Sequence, residues 1–323
     1  MTAAFRIGTR GSALALVQAR WVAAALEKIH GPSFKTELVV IKTTGDDLAD
    51  KPLTEIGGKG VFVKEIEKAI VSGAVNVAVH SLKDVPSSLP DGLVISAVPL
   101  REDPSDCVIS RFGEQLQELP RGAVVGTSSL RRQAQIKAAN VRVRVVPVRG
   151  NLDTRLRKLQ GGDFDAIVVA LAGVKRLGRE SDVSQVLAPE VMLPCPGQGC
   201  LALEIREEDA AARERLAPLN HRESHLCALA ERSMLAAIGG DCRAPVGGLA
   251  RISKGFLEIE GLVADPSGKM MVREKERGKL PRPGRKTGPG GFSLDETREA
   301  ELLGAKLGGR LLAMGGSEIL LPL

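Results

Sequence analysis

The sequence of 323 residues has no tyrosine and one tryptophan, and aromatic residues amount to only 2%. Ring packing cannot build its core, so Val, Leu, Ile and Ala must supply it. The same scarcity argues against a protein that binds single-stranded nucleic acid by stacking bases on rings. Cysteine is sparse and odd in number: Cys107, Cys195, Cys200, Cys227 and Cys242 lie far apart in a long chain. That excludes a disulfide framework, and no pair has zinc-finger spacing, so no metal is assigned. No apolar run reaches the length of a membrane span. The apolar stretch ALALVQARWVAAAL is broken by Arg20 and followed by Glu27 and Lys28, which suits an amphipathic helix better than a signal peptide. A reducing cytoplasm is the expected compartment.

What is present suits a multidomain globular protein. The length exceeds one ordinary core and implies two or three domains. The 36 glycines imply many tight turns. The net charge of +6 is local: Lys269 to Gly290 holds eight basic and two acidic residues, and the rest is formally neutral. A second basic concentration, Arg131 to Lys158, has nine basic residues and one acidic, and makes a local field.

Through the first two hundred residues a short apolar run repeatedly ends in Gly, Ser, Thr or Arg and leads into an amphipathic helix. Strands are expected at Phe5 to Thr9, Val75 to Val79, Ala123 to Gly126, Val141 to Val148 and Asp165 to Ala170. The first helix is expected to bury Leu14, Val17, Trp21, Val22, Ala25 and Leu26 on one face. Others follow at Leu130, Leu152 to Leu159 and Ala172 to Leu177. This alternation predicts α/β domains with mainly parallel sheets. Composition breaks at Val98–Pro104 and Leu193–Gly199 suggest an inserted domain. The expected division is domain 1 over 1–100 and 200–219, domain 2 over 101–199, and a small α+β domain 3 over 220–323. In domain 3, Asn220 and Glu223 have capping-box spacing before a helix ending at Ile238. Short strands are expected around Leu249, Phe256 and Met270, and a last helix over Leu294 to Ala313. Gly278 to Gly291 reads as a loop or disordered insertion.

The chemistry gathers at strand-to-helix turns. Arg10-Gly11-Ser12, Thr127-Ser128-Ser129-Leu130-Arg131-Arg132 and Arg149-Gly150-Asn151 stand where helix N-termini begin. Free N–H groups, the helix dipole and bidentate arginines favour anions there. Ligands of open α/β sheets bind at the carboxyl ends of strands, so converging turns would seat a molecule with several negative groups. His80-Ser81-Leu82-Lys83-Asp84-Val85-Pro86 sets a carboxylate beside a lysine after an apolar strand. Asp84 there could stabilise a cation, or merely cap a turn. His80 reads as packing or a local hydrogen bond. Cys242, in a glycine-flanked loop beside Arg243, could be reactive or inert.

The segments RIGTRGSALALVQA, TTGDDLADKPLTEIGGKGVFVKEIE, HSLKDVP, GTSSLRRQAQ, VRGNLDTRLRKL, PGQGCLALE and ERSMLAAIGGDCRAPVG occur in order along nearly the whole chain. Together they resemble the porphobilinogen deaminase (hydroxymethylbilane synthase) family. The resemblance implies two domains like a type II periplasmic-binding clamshell, followed by a small third domain. It implies a transferase of tetrapyrrole (haem) biosynthesis that joins four porphobilinogen molecules head to tail, releasing ammonia and hydroxymethylbilane. It implies a dipyrromethane primer, thioether-linked to Cys242. Asp84, Lys83 and Arg10 are then the catalytic candidates. Ser81, Lys83, Asp84, Thr127, Ser129, Arg131, Arg132, Arg149, Gly150 and Arg155 would hold the primer. Arg10, Ser12, Arg149, Arg155, Arg176 and Lys59 would meet substrate. A cytoplasmic monomer with no nucleic-acid or membrane partner is expected.

This sequence departs from the family pattern at Asp241, Ala244, Cys195 and Cys200, none of which removes a reacting group. A rival reading is a non-catalytic clamshell that binds organic anions, which has no use for Cys242.

Overall fold

A computed structural model describes residues 4–44, 63–240, 244–281 and 293–320. The calls on Lys59, Asp241, Cys242 and Arg243, and most of the Gly278 to Gly291 stretch, fall outside these residues.

In chain order the strands are β1 (Phe5–Thr9), β2 (Thr36–Val40), β3 (Val77–Ser81), β4 (Leu93–Ala97), β5 (Asp106–Ser110), β6 (Val124–Gly126), β7 (Arg144–Val146), β8 (Ala166–Ala170), β9 (Gln185–Leu187), β10 (Leu201–Arg206), β11 (Val246–Ser253), β12 (Phe256–Ala264) and β13 (Met271–Lys279). They form three sheets, ordered β2-β1-β3-β10-β4, β7-β6-β8-β5-β9 and β11-β12-β13. In each five-stranded sheet two junctions are parallel and two antiparallel. Both antiparallel junctions flank a single reversed strand, β10 in the first sheet and β5 in the second. The other four strands of each sheet run the same way, which is the mainly parallel α/β class expected.

The reversed strands mark where the chain crosses over. It leaves the first sheet after β4, enters the second on β5, and returns on β10. Apolar strands with near-complete burial, DCVIS of β5 and AIVVA of β8, form the centre of the second sheet. Helices cover the sheets because each presents one apolar stripe. Ala13–His30 packs Ala19, Val22 and Leu26 onto β1 and β3.

The third sheet is an antiparallel meander packed on two long helices, Arg222–Ile238 and Leu294–Leu311. Met234, Leu307 and Leu311 are fully buried where these layers meet.

Several expectations shift. Trp21 is 49% exposed, and Gln18 and Ala19 take the buried side of the first helix. One tryptophan placed by periodicity alone was assigned to the wrong edge of the stripe. Val141 is 83% exposed, and only Arg144–Val146 of its apolar run pairs as a strand. The helix at 222 is capped by His221, whose ring accepts the Ser224 N–H, and not by Asn220. Asn220 instead accepts the N–H of Val98 at 2.8 Å. β13 runs on through Gly278 and Lys279, which pair with Leu257 and Phe256, so the start of the supposed loop is strand.

Candidate active site

The three turns stand at helix starts, as the turn chemistry predicts. Ser12, Ser129 and Asn151 cap the helices Ala13–His30, Leu130–Ala139 and Leu152–Gln160, accepting the N–H groups of Ala15, Arg132 and Thr154. A cleft is lined by Arg10, Ser12, Ser81 and Asp84 among others. A neighbouring cavity, sharing Leu14, Gln18 and Ser81 with the first, reaches Lys83, Arg176 and Gly199.

Each group is held by its own turn. Lys83 and Asp84 lie in a 3₁₀ turn, Leu82–Asp84, that continues β3. Ser81 and Gln18 share a hydrogen bond of 3.0 Å from the Gln18 amide to the serine oxygen. The Thr127 hydroxyl accepts the Ser129 N–H at 3.2 Å. Gly150 has φ 103, and the Arg155 Nε donates to its carbonyl at 2.9 Å. Arg176 donates to the Gly199 carbonyl at 2.6 Å. Arg131 and Arg132 are buried and bound to Asp106.

Positive charge dominates the centre. Burial holds the Lys83 ammonium below its ordinary value, Arg132 adds to this, and Asp84 opposes it. Burial, followed by Arg132 and Arg149, pushes Arg155 down to about 10, again against Asp84. Arg176 is lowered mainly by burial. Buried cations such as Lys83, Arg155 and Arg176 suit a ligand with several carboxylates.

A family model described as porphobilinogen deaminase, dipyromethane cofactor binding domain, matches residues 5–214. A second, described as porphobilinogen deaminase, C-terminal domain, matches residues 225–313. The chain belongs to the porphobilinogen deaminase family. Porphobilinogen deaminases of *Nitratidesulfovibrio vulgaris* and *Syntrophotalea carbinolica* are 45% and 42% identical to it over 97% and 100% of this chain, covering 95% and 96% of their own lengths. That of *Syntrophobacter fumaroxidans* is 47% identical over 84% of this chain and 88% of its own. Among solved structures, the periplasmic aliphatic sulphonate binding protein SsuA of *Escherichia coli* is similar at a TM-score of 0.40 and 13% identity, over 73% of this chain and 70% of that one.

The chemistry of the donor set fits the dipyrromethane of this family, which carries several carboxylates. Lys83 and Arg155, both lowered by burial and neighbouring arginines, and the hydroxyls of Ser81, Thr127 and Ser129 in the turns are groups able to bind carboxylates. His80 stays in β3, bonded to Glu204 at 3.0 Å, and is a local hydrogen-bond partner as read. Cys107 and Cys227 are buried core residues.

Sequence reasoning missed three groups. Asp106 has no exposed surface and Gln198 has 1%, yet both bond to site residues. Glu231, buried in the helix Arg222–Ile238, ties that helix to Arg101 and Gly197 of the connecting segments. An acid at the head of an apolar strand, or in mid-helix, reads as a solvated turn or face. Only the buried partner reveals it.

Proposed function

We infer that the chain condenses four porphobilinogen molecules head to tail on a dipyrromethane primer, releasing ammonia and hydroxymethylbilane. The observation that carries this reading is the match of residues 5–214 to the cofactor-binding domain, in which Arg10, Ser12, Ser81 and Asp84 line one cleft. The findings favour this enzyme over a non-catalytic organic-anion clamshell. We assign the primer's thioether to Cys242, and its carboxylates to Ser81, Lys83, Thr127, Ser129, Arg131, Arg132, Arg149, Gly150 and Arg155. When bound, the dipyrromethane supplies the nucleophilic pyrrole carbon that the first substrate joins.

The protein's own groups do the rest. Arg10, Ser12, Arg149, Arg155 and Arg176 hold the acetate and propionate arms of substrate, and Lys59 approaches from its own segment. As ammonia leaves porphobilinogen, positive charge grows on the substrate's ring nitrogen. Asp84, in the cleft beside Arg10 and Ser81, stabilises that charge with a carboxylate already in place. The division into domain 1 (1–100 and 200–219), domain 2 (101–199) and domain 3 (220–323) places substrate between the first two. The crossover of the chain between the sheets supports it. Among the described residues no helix is long and apolar enough to cross a membrane. We place the enzyme in the cytoplasm as a monomer without nucleic acid, a setting in which the buried thiols of Cys107, Cys200 and Cys227 stay reduced.

Intact mass spectrometry tests the reading. Wild-type protein is expected to exceed its sequence mass by one dipyrromethane, and Cys242→Ala to lack that increment. Asp84→Asn is expected to keep the adduct and to lose on the order of 10²-fold in turnover. A fully active wild type without the adduct would overturn the assignment of Cys242, and near-normal turnover of Asp84→Asn the role of that carboxylate.

A further inference from the structure

Asp106 opens β5 just after the chain first crosses between the sheets. Its Oδ2 accepts from Arg131 Nη1 at 2.6 Å. Its Oδ1 accepts from Arg132 Nε at 3.0 Å and from Gln198 Nε2 at 2.9 Å, and lies 2.8 Å from Arg132 Nη2. The same donors are tied to backbone. Arg131 Nη1 also reaches the Leu193 carbonyl at 2.7 Å, and Arg132 Nη1 the Val168 carbonyl at 3.1 Å. Gln198 Nε2 also reaches the Pro104 carbonyl at 2.7 Å. On its other side, Gln198 Oε1 accepts from Lys83 Nζ at 3.2 Å. One bonded path therefore runs from Lys83 on the first sheet, through Gln198 in the returning segment, to Asp106 and both arginines on the second.

We propose that Asp106 and Gln198 are positioning residues of the primer site, the carboxylate fixing Arg131 and Arg132 and the amide tying that carboxylate to Lys83 across the chain crossover. This rests on the function proposed above. Two adjacent guanidiniums and an ammonium repel one another and carry long flexible stems. One buried carboxylate between them sets their spacing without neutralising the cleft. The amide of Gln198 suits the link because it accepts from Lys83 at one end and donates to two acceptors at the other. A carboxylate in its place would put an acceptor against the Pro104 carbonyl and Asp106.

The test uses full-length wild type, Asp106→Asn, Gln198→Ala and Gln198→Glu. Primer occupancy is read by intact mass, turnover per primer-bearing molecule from pH 8 to 6, and thermal midpoint on the same samples. Misplacing groups that bind reacting partners costs up to on the order of 10²-fold. Occupancy or per-primer turnover is expected to fall about 10- to 100-fold in Asp106→Asn and Gln198→Glu, and less in Gln198→Ala. For Gln198→Glu the loss is expected to shrink as pH falls, because protonating the introduced carboxyl restores a donor toward Pro104 and Asp106. Should Asp106→Asn fail to fold, the two Gln198 variants carry the test. Occupancy and per-primer turnover within about twofold of wild type in both Gln198 variants would overturn the proposal. So would losses that follow the thermal midpoint and show no recovery at low pH. A wild type lacking primer and turnover would instead overturn the proposed function, so the two failures are distinct.

Discussion

The Glu231→Gln substitution perturbs the joint between the third sheet's helices and the crossover segments. The Glu231 carboxylate is fully buried and accepts four hydrogen bonds. Oε1 takes Arg101 Nη1 at 2.6 Å and the Ala250 N–H at 2.7 Å. Oε2 takes Arg101 Nη2 at 3.1 Å and the Gly197 N–H at 2.6 Å. Glutamine keeps the shape, but whichever way its amide turns, the NH₂ group faces two donors. Arg101, whose side chain is 10% exposed, loses its counter-charge and one of its two bonds to residue 231, keeping the other and its Nε donation to the Gln198 carbonyl at 2.8 Å. Removing one partner of a buried pair costs about 3–5 kcal/mol. At about 2 °C per kcal/mol for a chain of this size, the thermal midpoint should fall roughly 6–10 °C. Urea unfolding of Glu231→Gln, Arg101→Met and the double variant Arg101→Met/Glu231→Gln separates the pair from its surroundings. The double variant is expected to cost at least about 1 kcal/mol less than the sum of the singles, because neither charge is then stranded. Single losses below about 1 kcal/mol, or costs that add within about 0.5 kcal/mol, would refute a coupled buried pair.

Gly199→Ala is expected to lower both stability and turnover. Gly199 has φ 88, a Cβ there would lie 2.2 Å from the Glu102 carbonyl, and its own carbonyl holds Arg176; unchanged melting and KM would count against this constraint. His225 predicts a pH dependence. Burial, aided by Arg232, pushes its pKa down to about 4, so the unfolded chain binds the extra proton first. Its contribution, on the order of 3 kcal/mol, is complete above pH ~6.5 and is lost as pH falls toward about 4. Urea midpoints of wild type should drop between pH 7 and 5 more steeply than those of His225→Gln, and parallel curves would reject the assignment.

The parts of this protein that were legible in sequence are those governed by local rules. Strand β1 fell at Phe5–Thr9 as read, and Ser12, Ser129 and Asn151 cap the helices they precede. Turn chemistry thus located the helix caps, and Arg10 and Ser12 of the first turn line the cleft. Long-range pairing was not legible. Gln18, Gln198 and Asp106 gain their roles from partners 63 to 115 positions away in the chain. The reversed strands β5 and β10 look, residue by residue, like any other apolar run. His221 displaced Asn220 as a cap because Asn220 is drawn to Val98, a contact set by the fold. Periodicity mistook Trp21 for core because a helix of mixed Ala and Leu leaves the edge of its stripe loosely defined.

Net charge and working charge lie in different parts of the molecule. The stretch that gives the chain its formal excess begins in β13, where the basic residues are engaged. Arg273 bonds Glu260 at 2.7 Å and the carbonyls of Pro189 and Glu190, and Lys275 lies 3.3 Å from Glu260. Arg277 sits 4.3 Å over the Phe256 ring. The acids between them, Glu274 and Glu276, pair with Lys306 and Arg310 on the helix Leu294–Leu311. These exposed pairs fasten strand to helix and project little field, since opposite charges at contact distance cancel within a Debye length. Around Asp84, by contrast, burial and Arg132 lower Lys83, and burial, Arg132 and Arg149 lower Arg155, with Asp84 opposing both. Charges held at low dielectric interact more strongly than the same charges in water. Burial of a few cations, and not the formal excess carried by the late basic stretch, therefore sets where charge acts most strongly in this molecule.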